Sequence, residues 1–390
     1  MNFIFDSVRR NEARVTIRFI HTSDWQIGKP FRNFDARVAG KLEAARVSVI
    51  DRIASLAGER KVRHVLVAGD VYDGDAIPHV TLMQPVHRMM RAAHVTWWLL
   101  PGNHDPAHSQ GVWQRLKNEG LPDNVRVLDT SQPVEMEPAV WLLPAPLFAR
   151  SMSEDPTAWM DQAETPAGAI RIGLSHGSVR GFGSAQESAV SIDAGRASKA
   201  KLDYLALGDW HGKRNENART WYSGTPEPDR FPENEPGWVL VVDIDAAGVQ
   251  PRVEAVESAS FIWAKQDYQI SGIEDLAAIE RQLSELADDP GRLILRLGLA
   301  GRIALQDIAA VEGWCANLEA KLQFLKADLS ALLPVCDGDF ALFSESNELA
   351  QAAEYLSAIA ADDNDARQGT AAVALTRLAA LARQEAAGDR

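Results

Sequence analysis

Five clusters in the chain carry carboxylates, amides and imidazoles, the side chains that hold divalent cations. They are Asp24-Trp25-Gln26, Gly69-Asp70-Val71-Tyr72-Asp73, Gly102-Asn103-His104-Asp105, His176-Gly177 and Gly208-Asp209-Trp210-His211. Singly, each has a plain structural explanation. An Asp at a strand end caps the following helix, a Gly-Asp pair makes a turn, and a lone histidine is satisfied within a core. Jointly they point to a metal site, because each follows a short apolar run and five such accidents in one core are improbable. Asp24 and Gln26 stand two residues apart, as do Asp209 and His211. On an extended segment each pair would point to one side. Two divalent cations about 3.5–4 Å apart need a shared carboxylate, with oxygen donors and a few imidazoles completing each shell. Asp70 is the expected bridge.

The apolar runs that must position these clusters read as buried strands: Thr16 to Thr22, Val65 to Ala68, Val95 to Leu100, Ile172 to Leu174 and Tyr204 to Leu207. Between the first two, Leu42, Ala45, Val49, Ile53 and Leu56 recur at helical spacing, and Pro78 to Ala93 reads as a second helix. Strands alternating with helices predict an α/β core whose ligands gather where strands end. The turn-rich run from Ser223 to Pro236 reads as a surface loop, and Trp238 to Ile244 as a strand closing the first domain. From about Phe261 the order becomes strand, helix, strand, helix, followed by two alanine- and leucine-rich helices between Glu348 and Arg383. The expected division is therefore a loose extension over residues 1–14, a catalytic domain over 15–260 and a smaller α/β domain with C-terminal helices over 261–390.

At 390 residues, 46% hydrophobic and 24% charged, the chain has the balance of a folded globular protein with more than one domain. No apolar run approaches the roughly 20 residues that span a bilayer, and no signal-peptide pattern opens the chain, so a cytoplasmic location is expected. Cys315 and Cys336 lie far from the clusters and read as packing residues. A net charge of -14 argues against a protein coated in basic residues. Yet Lys29, Arg32, Arg180, Lys213 and Arg214 stand beside the clusters and could form a local rim for DNA or simply a solvated surface. Trp25 and Trp210 flank candidate ligands and either stack on unpaired bases or pack. The Gly- and Ser-containing stretch from Ser178 to Ser198 is a candidate flap over substrate or a plain surface loop.

The order and form of the five clusters resemble the calcineurin-like metallophosphoesterases, whose pattern is D-x-H, G-D-x-x-D, G-N-H-[DE], H and G-H-x-H. The strings His21-Thr22-Ser23-Asp24 and Gly102-Asn103-His104-Asp105, with a small domain following, resemble the SbcD-type DNA-repair nucleases in particular. Asp-Trp-Gln and Gly-Asp-Trp-His resemble a bacterial branch encoded near an Lhr-type helicase and an ATP-dependent DNA ligase. The likeness covers roughly residues 17 to 260. It implies a layered sandwich of two β-sheets flanked by helices, and two metal ions. One would be held by Asp24, Gln26, Asp70 and His211, the other by Asp70, Asn103, His176 and Asp209. His104 would contact the scissile phosphate and assist the leaving oxygen, with Asp105 orienting it and Asp73 in a supporting role.

Two departures matter, since Gln26 and Asp209 stand where the family has histidines. Both offer oxygen, which shifts the expected preference toward harder cations, most of all Mn²⁺. Retention of His104 and the other ligand positions argues against a decayed scaffold. The expected reaction is in-line attack of hydroxide on a phosphodiester of DNA, single-stranded DNA above all. A phosphoesterase for small nucleotides or phosphoproteins and a non-catalytic module are the rival readings. The resemblance also implies repair partners: the helicase, the ligase or an SbcC-like ATPase.

Overall fold

The computed structural model describes residues 16–180, 189–231, 234–335, 347–362 and 364–388. The expected extension over 1–14 and Cys336 lie outside these residues. The chain divides into two compact units, Met1–Ser260 and Phe261–Arg390.

The first unit is built on two six-stranded sheets. In the first sheet β1 (Ile17–Thr22), β2 (His64–Val67), β3 (Thr96–Leu99) and β4 (Val125–Val127) run parallel, extended beyond β1 by antiparallel β13 (Trp238–Ile244) and β14 (Arg252–Glu257). In the second, β6 (Val140–Ala145), β7 (Ile170–His176), β10 (Tyr204–Gly208) and β12 (Thr220–Tyr222) run parallel, with β5 (Val134–Glu137) and β11 (Arg214–Asn217) antiparallel at the two edges. A small pair, β8 (Ser178–Val179) and β9 (Ser191–Ile192), follows β7.

Alternation along each strand assigns its two faces to different layers. Phe19 of β1 and Leu66 of β2 pack between the sheets with Ile172 and Leu174 of β7, Tyr204 and Ala206 of β10, and Leu240 of β13. Ile20, Val65 and Val67 point the other way, onto helices α1 (Ala36–Arg60), α2 (His79–Arg91) and α3 (Val112–Glu119). The far face of the second sheet, with Leu205 and Leu207, is covered by Met160 and by the short helix α4 (Arg196–Lys199) through Ala197. The result is the mixed α/β sandwich of two sheets flanked by helices.

Helix α1 shows how locally this is encoded. Asp35 caps it by accepting the backbone N–H groups of Arg37 and Val38, and Lys61 ends it in the left-handed conformation. Between them Leu42, Ala45, Val49 and Ile53 are buried. Each buried aliphatic larger than alanine contributes about 1.5–3 kcal/mol.

The second unit has a parallel sheet in the order β15 (Ile262–Ile270), β16 (Leu293–Ala304), β17 (Phe324–Val335). Helices α5 (Leu276–Ser284) and α6 (Ile308–Lys321) link successive strands, and α7 (Asn347–Ala361) and α8 (Gln368–Gly388) close it. Cys315 is buried in its core as a packing residue. Among the described residues no helix is long and apolar enough to cross a membrane.

Candidate metal centre

The loops leaving β1 and β2 are zipped together by backbone hydrogen bonds. Asp24 N–H donates to Gly69 O at 3.1 Å, Gln26 N–H to Asp70 O at 2.9 Å and Ile27 N–H to Val71 O at 2.9 Å. This pairing sets Asp24 and Asp70 side by side, but Asp24 and Gln26 do not lie on the extended segment expected from their spacing. Asp24, Gln26 and Asp70 have φ of 55°, 43° and 53°, and Asp209 has 94°. Four of the seven non-glycine residues with positive φ among the described residues are thus candidate ligands. Such backbone costs about 1–3 kcal/mol per residue and persists where the surroundings impose it, most often at functional sites. The side chains converge because the loops coil back, with β-strand alternation playing no part.

The second sheet supplies His176, and glycines let the two sheets meet there. A Cβ on Gly69, whose φ is +90°, would lie 2.3 Å from His176 Nδ1, and one on Gly208 would lie 2.0 Å from Ala68 O. Through this gap His176 Nδ1–H donates to Ala68 O at 2.8 Å. The ring is thereby oriented with Nε2 facing Asn103 Oδ1 at 3.2 Å, Asp70 Oδ1 at 3.5 Å and Asp209 Oδ1 at 3.9 Å. With Nδ1 committed as donor, Nε2 can face these oxygens only if a proton or a cation lies between them. Burial alone would lower the His176 pKa; the carboxylates of Asp70, Asp24 and Asp209 overcome it and raise the pKa to about 9. That proton marks a place where positive charge is required.

Asp24, Asp70 and His176 each bring one ligating atom to within 4.8 Å of the others, a group able to hold a metal ion. Asp24 is fully buried, accepts Ser23 Oγ–H at 2.6 Å and the Asp209 N–H at 3.2 Å, and its carboxyl is pushed up by burial and by Asp70. Asp209 is held by Ser178 Oγ–H at 2.7 Å. On the opposite side His211 Nε2 lies 3.9 Å from Asp24 Oδ1 and 3.3 Å from Gln26 Nε2. The structure therefore brings all seven predicted ligands to one place. Carboxylates clustered with imidazoles and amide oxygens suit divalent cations.

His104 lies at the mouth of this cluster, half exposed. Its backbone N–H donates to Asp70 Oδ1 at 2.9 Å, and its Nε2 is 4.0 Å from Asp70 Oδ2. The imidazole is oriented by Asp73, whose backbone O accepts from Nδ1 at 3.1 Å, and not by Asp105 as expected. Asp105 is buried and braces two loops instead, accepting Gly102 N–H at 2.7 Å and Tyr72 N–H at 3.0 Å. Burial and the neighbouring Asp70 push its carboxyl well above the usual range.

One acid escaped the sequence reading. Asp229 lies in the run expected to be a surface loop, yet Tyr222 through Asp229 are buried. Ser223 Oγ meets Ser23 Oγ at 3.0 Å, Thr225 N–H donates to His211 O at 3.0 Å, and Arg52 pairs with Glu227. Asp229 takes up Lys29, Arg46 and Arg230 and lies 3.6 Å from His211 Nδ1. Although burial opposes ionisation, His211, Arg46 and Lys29 hold its carboxyl well below the usual range. The available signal was Arg46, an arginine on the apolar stripe of α1 between Leu42, Val49 and Ile53, which must find a buried counter-ion.

The expected DNA rim is largely committed elsewhere. Lys29 is tied to Asp229, Lys213 pairs with Glu235 at 3.0 Å and lies over the Trp238 ring, and Arg214 pairs with Glu216 at 2.8 Å. Arg180 donates to Ser191 Oγ at 3.1 Å, and Arg32 is exposed. Trp25 is buried, packs edge-on to Trp97 and donates to Thr22 Oγ1 at 3.0 Å, so it does not stack on a base. Trp210 is partly exposed and does line the cleft. The stretch from Ser178 to Ser198 contains β8, β9 and part of α4, and its residues 181–188 lie outside the described ones. The cleft over the centre measures about 570 Å³ and is lined by Gln26, His104, Trp210, His211, Arg230 and Phe231 among others.

Residues 17–185 match the family model of the calcineurin-like phosphoesterases. That span includes Asp24, Gln26, Asp70, Asn103 and His176, while Asp209 and His211 lie beyond it. No curated protein matches the chain. Among solved structures, the purple acid phosphatase PPD1 from yellow lupin (Lupinus luteus) seeds aligns with 63% of this chain at 12% identity and a TM-score of 0.39. The chain spans about half of that protein, 52% of its length. Another crystal structure aligns over 62% of this chain and 99% of its own at 9% identity, with a TM-score of 0.38. Neither likeness is close enough to bear on chemistry.

Proposed function

We propose that this chain, with residues 17–185 matching the calcineurin-like phosphoesterases, is a two-cation phosphodiesterase that cuts DNA, single strands above all, with manganese as its preferred metal. The observation that carries the reading is the convergence of Asp24, Asp70, Asn103, His176, Asp209 and His211 at facing strand ends under one open cleft. Asp70 would be the shared ligand, with Asp24, Gln26 and His211 completing one set and Asn103, His176 and Asp209 the other. When bound, the cations would neutralise phosphate charge and acidify a water molecule.

The chain's own residues do the rest. His104, held through Nδ1 by the Asp73 carbonyl, presents Nε2 at the cleft mouth, where it can give a proton to the departing sugar oxygen. Arg230, 64% exposed on the cleft wall, can attract a phosphate, and Trp210 beside it offers a face to an unpaired base. Oxygen donors at Gln26 and Asp209 favour a harder cation. DNA as substrate, and a setting in DNA repair, rest on the SbcD-type resemblance.

The test uses circular and end-labelled linear single-stranded DNA with Mn²⁺, comparing wild type with Asp70→Ala. Cutting of the circle by wild type alone is expected. Release of phosphate from free nucleotides, with intact DNA and no salt sensitivity, would favour a small-molecule phosphoesterase instead.

A further inference from the structure

The two halves of the centre differ in the charges that flank them. Asp70 stands between them, with Asp209 added on the His176 side, 3.9 Å from its Nε2, and Asp24 on the other, 3.9 Å from His211 Nε2. What sets the Gln26 side apart is a neutral amide among its donors and, next to it, three cations gathered around one anion. Lys29, Arg46 and Arg230 all converge on Asp229, whose Oδ1 is 3.2 Å from Arg230 Nε and whose Oδ2 is 3.4 Å from Arg46 Nη2. Arg230 Nη2 also approaches His211 Nδ1 at 3.1 Å.

Lys29 goes further, because its ammonium donates to Gln26 Oε1 at 2.9 Å as well as to Asp229. The oxygen that a cation would need is therefore already engaged by a cation, and the Gln26 nitrogen is turned toward His211 Nε2 at 3.3 Å. A divalent ion arriving there must displace the ammonium from the amide and bear its repulsion.

We propose that Lys29 is a positioning residue that makes the two cation sites unequal: the His176 half loads first, and the Gln26–His211 half fills only as Lys29 withdraws toward Asp229. The inference rests on the two-cation reading above. Lys29 opposes the second cation by occupying Gln26. Asp229 assists it by giving the ammonium another place to go and by holding Arg46 and Arg230.

Calorimetric titration of the metal-free protein with Mn²⁺ tests this without reference to turnover. Wild type should show two binding events of well-separated affinity. Lys29→Met, at a side chain that is 26% exposed, should tighten the weaker event about 10- to 100-fold, the range for residues that hold a ligand in place. It should leave the stronger event alone. Lys29→Arg should restore wild-type behaviour. Asp229→Asn should weaken the weaker event, and because it also strips buried Arg46 of its counter-ion, Lys29→Met is the deciding variant. A merely structural lysine would move the unfolding midpoint or both events together. Wild type binding no Mn²⁺ would refute the two-cation reading itself; two events that Lys29→Met leaves unchanged would refute the inference alone.

Discussion

Gly69→Ala tests the geometry of the centre through a residue that has no side chain to ligate anything. A methyl group at this position would lie 2.3 Å from Nδ1 and 2.6 Å from Cγ of His176, so the imidazole must move. Moving it breaks the 2.8 Å bond to Ala68 O and leaves buried partners unpaired, at about 1–3 kcal/mol. Holding alanine in a left-handed conformation adds about 1–2 kcal/mol. The sum is about 2–5 kcal/mol, a large part of the 5–15 kcal/mol typical of a folded domain. Displacing Nε2 from Asn103 and Asp70 should also weaken metal binding by about 10-fold or more. Urea denaturation gives the first quantity and Mn²⁺ titration the second. A Gly69→Ala protein within about 0.5 kcal/mol of wild type, the range of an ordinary surface substitution, with unaltered metal affinity, would refute the placement of His176 against the β2 loop.

Three other substitutions separate chemistry from packing. His104→Ala should lower DNA cleavage by about 100- to 10,000-fold while Mn²⁺ titrations stay as in wild type; equal loss of both would remove it from the acid role. Trp25→Ala should cost about 3–5 kcal/mol in urea denaturation, as a buried aromatic does, whereas loss of single-strand affinity at unchanged stability would restore it as a stacking residue. His21 is buried between the sheets, bonded to Tyr204 Oη and Leu207 O, and burial lowers its pKa to about 3. Its unfolded pKa is about 6.5, so acid favours the unfolded chain between these values by about 1.4 kcal/mol per pH unit. The stability advantage of wild type over His21→Asn should therefore shrink by about 2 kcal/mol from pH 6.5 to 4.5, the slope being only half-developed at pH 6.5, and an advantage that is constant with pH would contradict the buried neutral ring.

The strand ends were legible because each apolar run stops where a polar cluster starts, and all five clusters lie at such ends. The route by which they converge was not. Left-handed backbone at Asp24, Gln26, Asp70 and Asp209 is imposed by pairing between loops, and nothing in an Asp or Gln announces it. The segment from Ser223 to Asp229 misled because Gly, Thr and Pro ordinarily mark exposed turns, whereas here Ser23, His211 and Arg52 satisfy its polar groups inside the protein. Asp105 was assigned to its sequence neighbour, but a side chain two strands' loops share is placed by the backbone donors of Gly102 and Tyr72. Asp229 required reading Arg46 against the stripe of α1 and asking what neutralises it.

Everything proposed for this centre requires Asp70 to be shared by two cations. Diffraction from crystals soaked in Mn²⁺, collected at the manganese absorption edge, would locate them directly. Two anomalous peaks about 3.5–4 Å apart are expected, both beside the Asp70 carboxylate, one toward His176 and one toward His211. No peak in contact with Asp70, or metal bound only elsewhere on the chain, would rule out a shared Asp70.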